Sequence, residues 1–260
     1  MRLSELLTIL ENIGPLSISE EFCKKCGFYD NSGILVDCGE DIKGVLFSLD
    51  LSEKAINEAK KLGYNAIVTH HPAIFGAISS VSVNSSRTSL VAECLKSGIS
   101  VISMHLNFDA APEGIDYYLM QGLGGDKAAT MINLSGGAYG RAFDVDQRKL
   151  SDYVEFIKKN LGTDRVIYYG EKDKIIKRAC SFCGAGCDDA AIQFATLEGA
   201  DVLVSSDMKH HHIAALISRG MNVIILTHYA SENYGFNKIY GKIIEELKVS
   251  AAYFCDAALL

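Results

Sequence analysis

Apolar and polar positions alternate along this chain in two rhythms. In "LSEKAINEAKKLG" (51–63), Ala55, Ile56, Ala59 and Leu62 share one helical face, and Gly63 supplies a natural C-terminal stop. The runs on either side, "GVLFSLD" (44–50) and "NAIVTH" (65–70), are short and largely apolar, as strands covered on both faces are. Strand, helix and strand at this spacing predict a βαβ unit, a parallel pair joined by a right-handed crossover. "SRTSLVAECLKSG" (86–98) and "ISVISMH" (99–105) add another helix and strand. At the N-terminus, "MRLSELLTILENIG" carries Glu5 and Glu11 between leucines at helical spacing. That predicts an amphipathic helix packed on a core, not a signal peptide.

The second half repeats the grammar. A helix around 148–161 precedes two strand-like runs, "DRVIYYG" and "IIKRACSFC". The glycine turn "GAGCDD" leads into a helix over 188–199, then a strand (201–207), a helix (209–219) and a strand (222–228). A helix at about 233–247 and a final strand "AAYFCD" close the pattern. The halves also echo each other in detail. "CLKSGISVISMHLNFD" and "LISRGMNVIILTHYASE" both run helix end, glycine, apolar strand, then His-x-x-x-carboxylate. If this echo is a duplication, the fold class is α/β, with two similar lobes of mainly parallel sheet flanked by helices. The expected division gives 1–128 and the C-terminal segment from about 228 to 260 to the first lobe, and 129–227 to the second.

Composition narrows the class. A 260-residue chain can bury a sizeable core, and a net charge of −7 argues against nonspecific nucleic-acid binding. No apolar run approaches the ~18 residues of a membrane span. With no export signal, the eight cysteines are expected as reduced thiols in a cytoplasmic protein.

The chemistry gathers where strands end. All seven histidines fall just after predicted strands: His70 and His71; His105; His210, His211 and His212; and His228. Asn107, Asp109, Asp207 and Glu232 accompany them. In "VTHHPAIF" (68–75), Pro72 removes a ladder donor and restricts His71, so the two imidazoles sit in a rigid strand-end loop. Ligands of open α/β sheets collect at such carboxyl ends. A lone buried histidine is more often a satisfied core group than a ligand, but two His-x-x-x-Asp/Glu units beside a double histidine favour metal. Nitrogen with carboxylate is the donor set of Zn, Fe, Mn or Co. Two cations about 3.5–4 Å apart need bridging carboxylates and terminal imidazoles. Asp109 and Glu232 suit the first role; His70, His71 and His228 suit the second. "CGAGCDD" before a helix is either a phosphate-holding turn or simple tight packing. Lys209 and His210–His212 are either anion or acid/base groups or a solvated first helical turn. The pairs Cys23/Cys26 and Cys180/Cys183 have zinc-knuckle spacing, yet the second lies in an apolar strand, where thiols act as small hydrophobes.

Seven stretches occur in one order: "FYDNSGILV", "LFSLDLS", "VTHHPAIF", "HLNFDAAPEGIDYYL", "CGAG", "SSDMKHHH" and "THYASENYG". Together they resemble the NIF-three-like dinuclear-metal-centre proteins, or GTP cyclohydrolase I type 2 homologues, over nearly the whole chain. The likeness is to the short form, without the middle insertion of longer relatives. It implies two α/β lobes with a metal site between them, two divalent ions (Fe, Zn or Mn), and a homo-oligomer in the form of a hexameric ring. Carried over residue by residue, it gives His70, His71, Asp109, His228 and Glu232 as metal ligands, and moves His105 to an orienting role beside them. His211 matches the family histidine suited to proton transfer, so His211 and His105 are the candidate catalytic groups. "LTHYASE" and "SSD" depart from the family's Ala-Gly-His-x-x-Thr-Glu and Thr-Gly-Asp without touching a ligand. Two functions remain open: a metal-dependent hydrolase of a nucleotide or other phosphate-bearing small molecule, or a non-catalytic metal-handling or scaffold protein.

Overall fold

The structure, a computed structural model, describes all residues 1–260. The chain divides into two compact units, Met1–Ala111 with Phe236–Cys255, and Pro112–Gly235 with Asp256–Leu260. The sequence reading places the crossings at 128/129 and 227/228.

The first unit is built on α1 (Leu3–Glu11), α2 (Leu16–Cys26), β1 (Gly33–Val36), β2 (Gly44–Ser48), α3 (Glu53–Leu62), β3 (Ala66–Thr69), α4 (Ser89–Lys96), β4 (Ser100–Ser103) and α5 (Leu106–Ala110). The second half of α10 (His228–Ile243) and β11 (Ser250–Phe254) complete it. Its sheet runs β1-β4-β3-β2-β11 and is parallel except for β1. The three central strands are buried along their length, which explains their unbroken apolar runs. Pleating sends alternate side chains to opposite faces. Leu46, Ile67 and Val101 pack with Ala55, Ile56 and Ala59 of α3 and Val91 and Cys94 of α4. On β2, Phe47 instead meets Phe236 and Tyr240 of α10, at ring centroid distances of 6.3 and 5.2 Å.

The second unit holds α6 (Ile115–Gly122), β5 (Ala128–Leu134), β6 (Gly137–Lys149), α7 (Leu150–Leu161), β7 (Val166–Tyr169), β8 (Ile175–Ser181), α8 (Asp189–Leu197), β9 (Val202–Ser205), α9 (His210–Ser218), β10 (Asn222–Leu226) and the start of α10. Its sheet, β5-β6-β8-β9-β10-β7, is mixed: only β8, β9 and β10 run parallel. The antiparallel share comes from the β5–β6 hairpin, absent from the sequence reading, and from β7. Helix α6 belongs with this sheet because the fully buried Asp116 carboxylate accepts from the Gly140 amide of β6 at 3.0 Å and pairs with Arg141 at the same distance. No helix is long and apolar enough to cross a membrane.

Candidate metal centre

In the first unit the strands β2, β3 and β4 end side by side, and their chain continuations carry the polar groups. The amides of His70 and His71 both donate to the carbonyl of Leu49, at 3.1 and 3.0 Å, so the two residues leave β3 as a tight turn. Thr69 Oγ1 closes that turn on the His71 carbonyl (2.8 Å) and lies 2.7 Å from Ser103 Oγ on β4. His105 follows β4 and starts α5, and Asp109 comes one helical turn later. The result is a group of three imidazoles, His70, His71 and His105, whose ligand atoms lie within 4.8 Å of one another. Asp109 joins them, with Oδ1 3.4 Å from His70 Nε2.

The second unit repeats the device. His228 follows β10 and begins α10, and Glu232 is one turn on, with Oε1 3.1 Å from His228 Nε2. The sequence reading started this helix near 233; it starts at His228, so the His-x-x-x-Glu spacing is a helical turn.

Hydrogen bonds fix the orientation of these rings. Nδ1 of His70 meets the Met104 carbonyl (2.9 Å), that of His71 the Asp50 carboxylate (2.7 Å), that of His105 the Asp30 carboxylate (2.8 Å) and that of His228 the Asp207 carboxylate (2.5 Å). A carbonyl or carboxylate oxygen only accepts, so Nδ1 is the donor in each ring, and Nε2 is the nitrogen left to meet a cation. This is the arrangement in which a carboxylate or carbonyl orients a metal-binding imidazole.

Asp30 is itself held in place. Burial pushes its carboxyl up, but hydrogen bonds from His105, from Ser19 (2.5 Å) and from Ser32 (2.6 Å) outweigh that and hold it at about 2. Ser32 Oγ also accepts from the His105 amide at 3.0 Å, and Asn31 donates to the Ile74 carbonyl at 2.6 Å. Three consecutive residues thus brace His105 and the loop after His71. Asp207 is the one non-glycine residue with positive φ (48°), and its turn aims the carboxylate at His228.

Gly184 keeps space open beside Glu232. Its φ is +57°, and a Cβ there would lie 2.4 Å from Glu232 Oε1 and 3.4 Å from His228 Nε2. Its amide donates to Ser231 Oγ (3.0 Å), and its carbonyl accepts from Ser206 Oγ (2.5 Å).

The buried histidine, aspartate and glutamate groups have the donor chemistry for a metal ion. Five of the expected residues fall in these two clusters with His105, four of the six in the first unit and two in the second. His211 belongs to neither; it is exposed on α9, its ring 4.3 Å from that of His212. Asp30, Asp50, Gly184 and the Met104 carbonyl were not singled out from the sequence as parts of the site. For Asp50 a signal existed, since it stands at a strand end like the histidines. None of the eight cysteines is joined in a disulfide. Burial pushes the Cys187 thiol up to about 12 and raises that of Cys180 further, as suits buried packing groups.

Comparison with known proteins agrees with this organisation. A family model described as Duf34/NIF3 (NGG1p interacting factor 3) matches residues 1–256. A Campylobacter jejuni protein named GTP cyclohydrolase 1 type 2 homolog is 31% identical over 254 residues, covering 95% of this chain and 93% of that protein. One of the same name from Clostridium perfringens is 28% identical over 252 residues, with coverage of 95% and 93%. Among solved structures, Staphylococcus aureus protein SA1388 superposes with a TM-score of 0.84 at 26% identity, covering 98% of this chain and 97% of that one. A Bacillus cereus protein related to NIF3 shares the fold at 17% identity, with a TM-score of 0.81 and 96% coverage of both chains.

Proposed function

Since the chain belongs to the Duf34/NIF3 family, we propose that His70, His71, Asp109, His228 and Glu232 together hold two divalent cations, Fe, Zn or Mn, and that the protein hydrolyses a nucleotide or another phosphate-bearing small molecule. The observation that carries this reading is the uniform anchoring of Nδ1 in His70, His71 and His228, which makes Nε2 the atom each ring would offer a cation. Asp109 and Glu232 each stand one helical turn from a histidine, and both are buried, which suits carboxylates shared by two ions.

When bound, such a pair of ions supplies hydrolytic chemistry by lowering the pKa of water toward neutrality and polarising the bond attacked. His105, with Nδ1 on Asp30, presents Nε2 beside the ligand imidazoles and serves as a proton-transfer group. His211 is assigned proton transfer as a second such group, from its exposed place on α9. The names of the relatives make the guanine ring of GTP the first substrate to try. The proposal includes a homo-oligomeric, hexameric ring, which light scattering on the purified chain tests directly.

Elemental analysis is the deciding measurement. The purified chain is expected to carry close to two metal ions, and His70→Ala and Glu232→Ala to lose them along with hydrolysis. Cys183→Ala is expected to keep both. A fully loaded chain inert toward nucleotides and phosphoesters in Mn, Zn and Fe would leave metal handling without turnover as the function.

A further inference from the structure

We infer that Asp116 of α6 and Tyr139 of β6 are positioning residues for His228 and Glu232; the inference rests on the metal reading above and assigns what holds those two ligands in place. The link is the turn that follows β8. Asp116 is fully buried, and its Oδ2 accepts from the Gly140 amide at 3.0 Å and pairs with Arg141 Nε at the same distance. Its Oδ1 accepts from the Cys183 amide at 3.4 Å. Tyr139 Oη donates to the Cys183 carbonyl at 2.6 Å, so side chains of α6 and β6 hold both backbone polar groups of Cys183. Gly186, three residues on, abuts the same phenol: a Cβ there would overlap Tyr139 Oη.

The position of this turn decides where the ligands can sit. Gly184 follows Cys183, and a Cβ on it would overlap Glu232 Oε1 and lie 3.4 Å from His228 Nε2. A shift of the turn toward α10 by a fraction of an ångström therefore displaces the Glu232 carboxylate, and a shift away removes the wall it rests on. The choice of a buried ion pair behind the turn points the same way. Two apolar side chains of like volume stabilise a core as well as a buried ion pair or better. What they cannot do is accept from two backbone segments at once, as the Asp116 carboxylate does. Arg141 fixes that carboxylate, and its guanidinium is held in turn by the Ala138 carbonyl (3.3 Å) and by the Tyr117 ring, 5.5 Å from its centroid.

Titration of the metal-stripped chain with cobalt(II), read by visible absorption, tests the assignment. Cobalt takes the same nitrogen and carboxylate donors, and its bands report their geometry. Asp116→Asn and Tyr139→Phe are each expected to weaken cobalt binding about tenfold and to shift the bands. Should the unpaired Arg141 keep Asp116→Asn from folding, Asp116→Asn/Arg141→Gln removes both charges and takes its place. Tyr153→Phe is the matched control: it deletes another buried phenol-to-carbonyl bond of the second unit, 2.9 Å long, made to Leu123 at the end of α6 and not to the turn. It is expected to lower the urea midpoint while keeping wild-type cobalt affinity and bands. Unaltered affinity and bands in the Asp116 or Tyr139 variants overturn the positioning role, as does an equal loss in Tyr153→Phe. A wild-type chain that takes up no cobalt defeats the metal reading and this role with it, so the two failures are distinguishable.

Discussion

Gly184 sits so close to Glu232 that one methyl group is too many. An alanine there adds left-handed strain of about 1–2 kcal/mol and drives a Cβ against Glu232 Oε1. Gly184→Ala is expected to fold with a modestly lowered urea midpoint but to retain less than half the wild-type metal, read by elemental analysis. Asp30 makes a different prediction. Its carboxyl sits at about 2 in the folded chain against an ordinary 3.8, so it favours folding above pH ~4, and that contribution fades as pH falls through ~2. At neutral pH it is worth about 2 kcal/mol. Asp30→Asn is expected to lose stability of that order and to flatten the acid limb of the stability curve between pH 4 and 2, measured by urea denaturation across pH. The histidines were legible in the sequence because each follows a strand. Asp30 was not, because its bond to His105 spans 75 residues and leaves no local spacing to read.

Elements with strong periodicity were legible almost to their ends. The predicted helix in 51–63 and strand in 65–70 appear as Glu53–Leu62 and Ala66–Thr69. The β5–β6 hairpin was not legible, since its half-exposed strands carry few large apolar residues. Its signal was the two-residue Ser135–Gly136 connection, with Leu134 paired to Gly137. Helix α10 was started too late because "THYASE" is polar where the strand stops, although a four-residue His-to-Glu spacing is itself helical. The same helix makes one tight approach: a Cβ at Gly235 would lie 2.7 Å from Ile115 Cα and 2.9 Å from its carbonyl oxygen. Backbone cannot yield as a side-chain tip does, so Gly235→Ala is expected to cost about 1–3 kcal/mol in urea denaturation.

Across the whole chain, both units use one plan: a strand, a histidine at its end, and a carboxylate one helical turn later. The echo between "MHLNFD" and "THYASE" showed this in the sequence. What the echo did not show is that one sheet is parallel but for an edge while the other is mixed, because pairing direction depends on elements outside the repeat. Ligands that bind only the folded chain stabilise it by mass action. Stripping metal with a chelator is therefore expected to lower the melting temperature, and restoring it at 100-fold over its Kd to return about 2.7 kcal/mol. Cys23→Ser and Cys26→Ser are expected to leave that response unchanged, since neither thiol joins a metal-capable group.

Strand β11, the outer partner of β2, comes from the far end of the chain. As the protein is synthesised, residues 1–111 emerge first, but one border of their sheet stays bare until residues 250–254 arrive. At ordinary translation speed that wait is on the order of ten seconds. The nascent chain therefore carries an open strand edge while residues 112–235 of the second unit are made, and that edge is where a chaperone would earliest be needed.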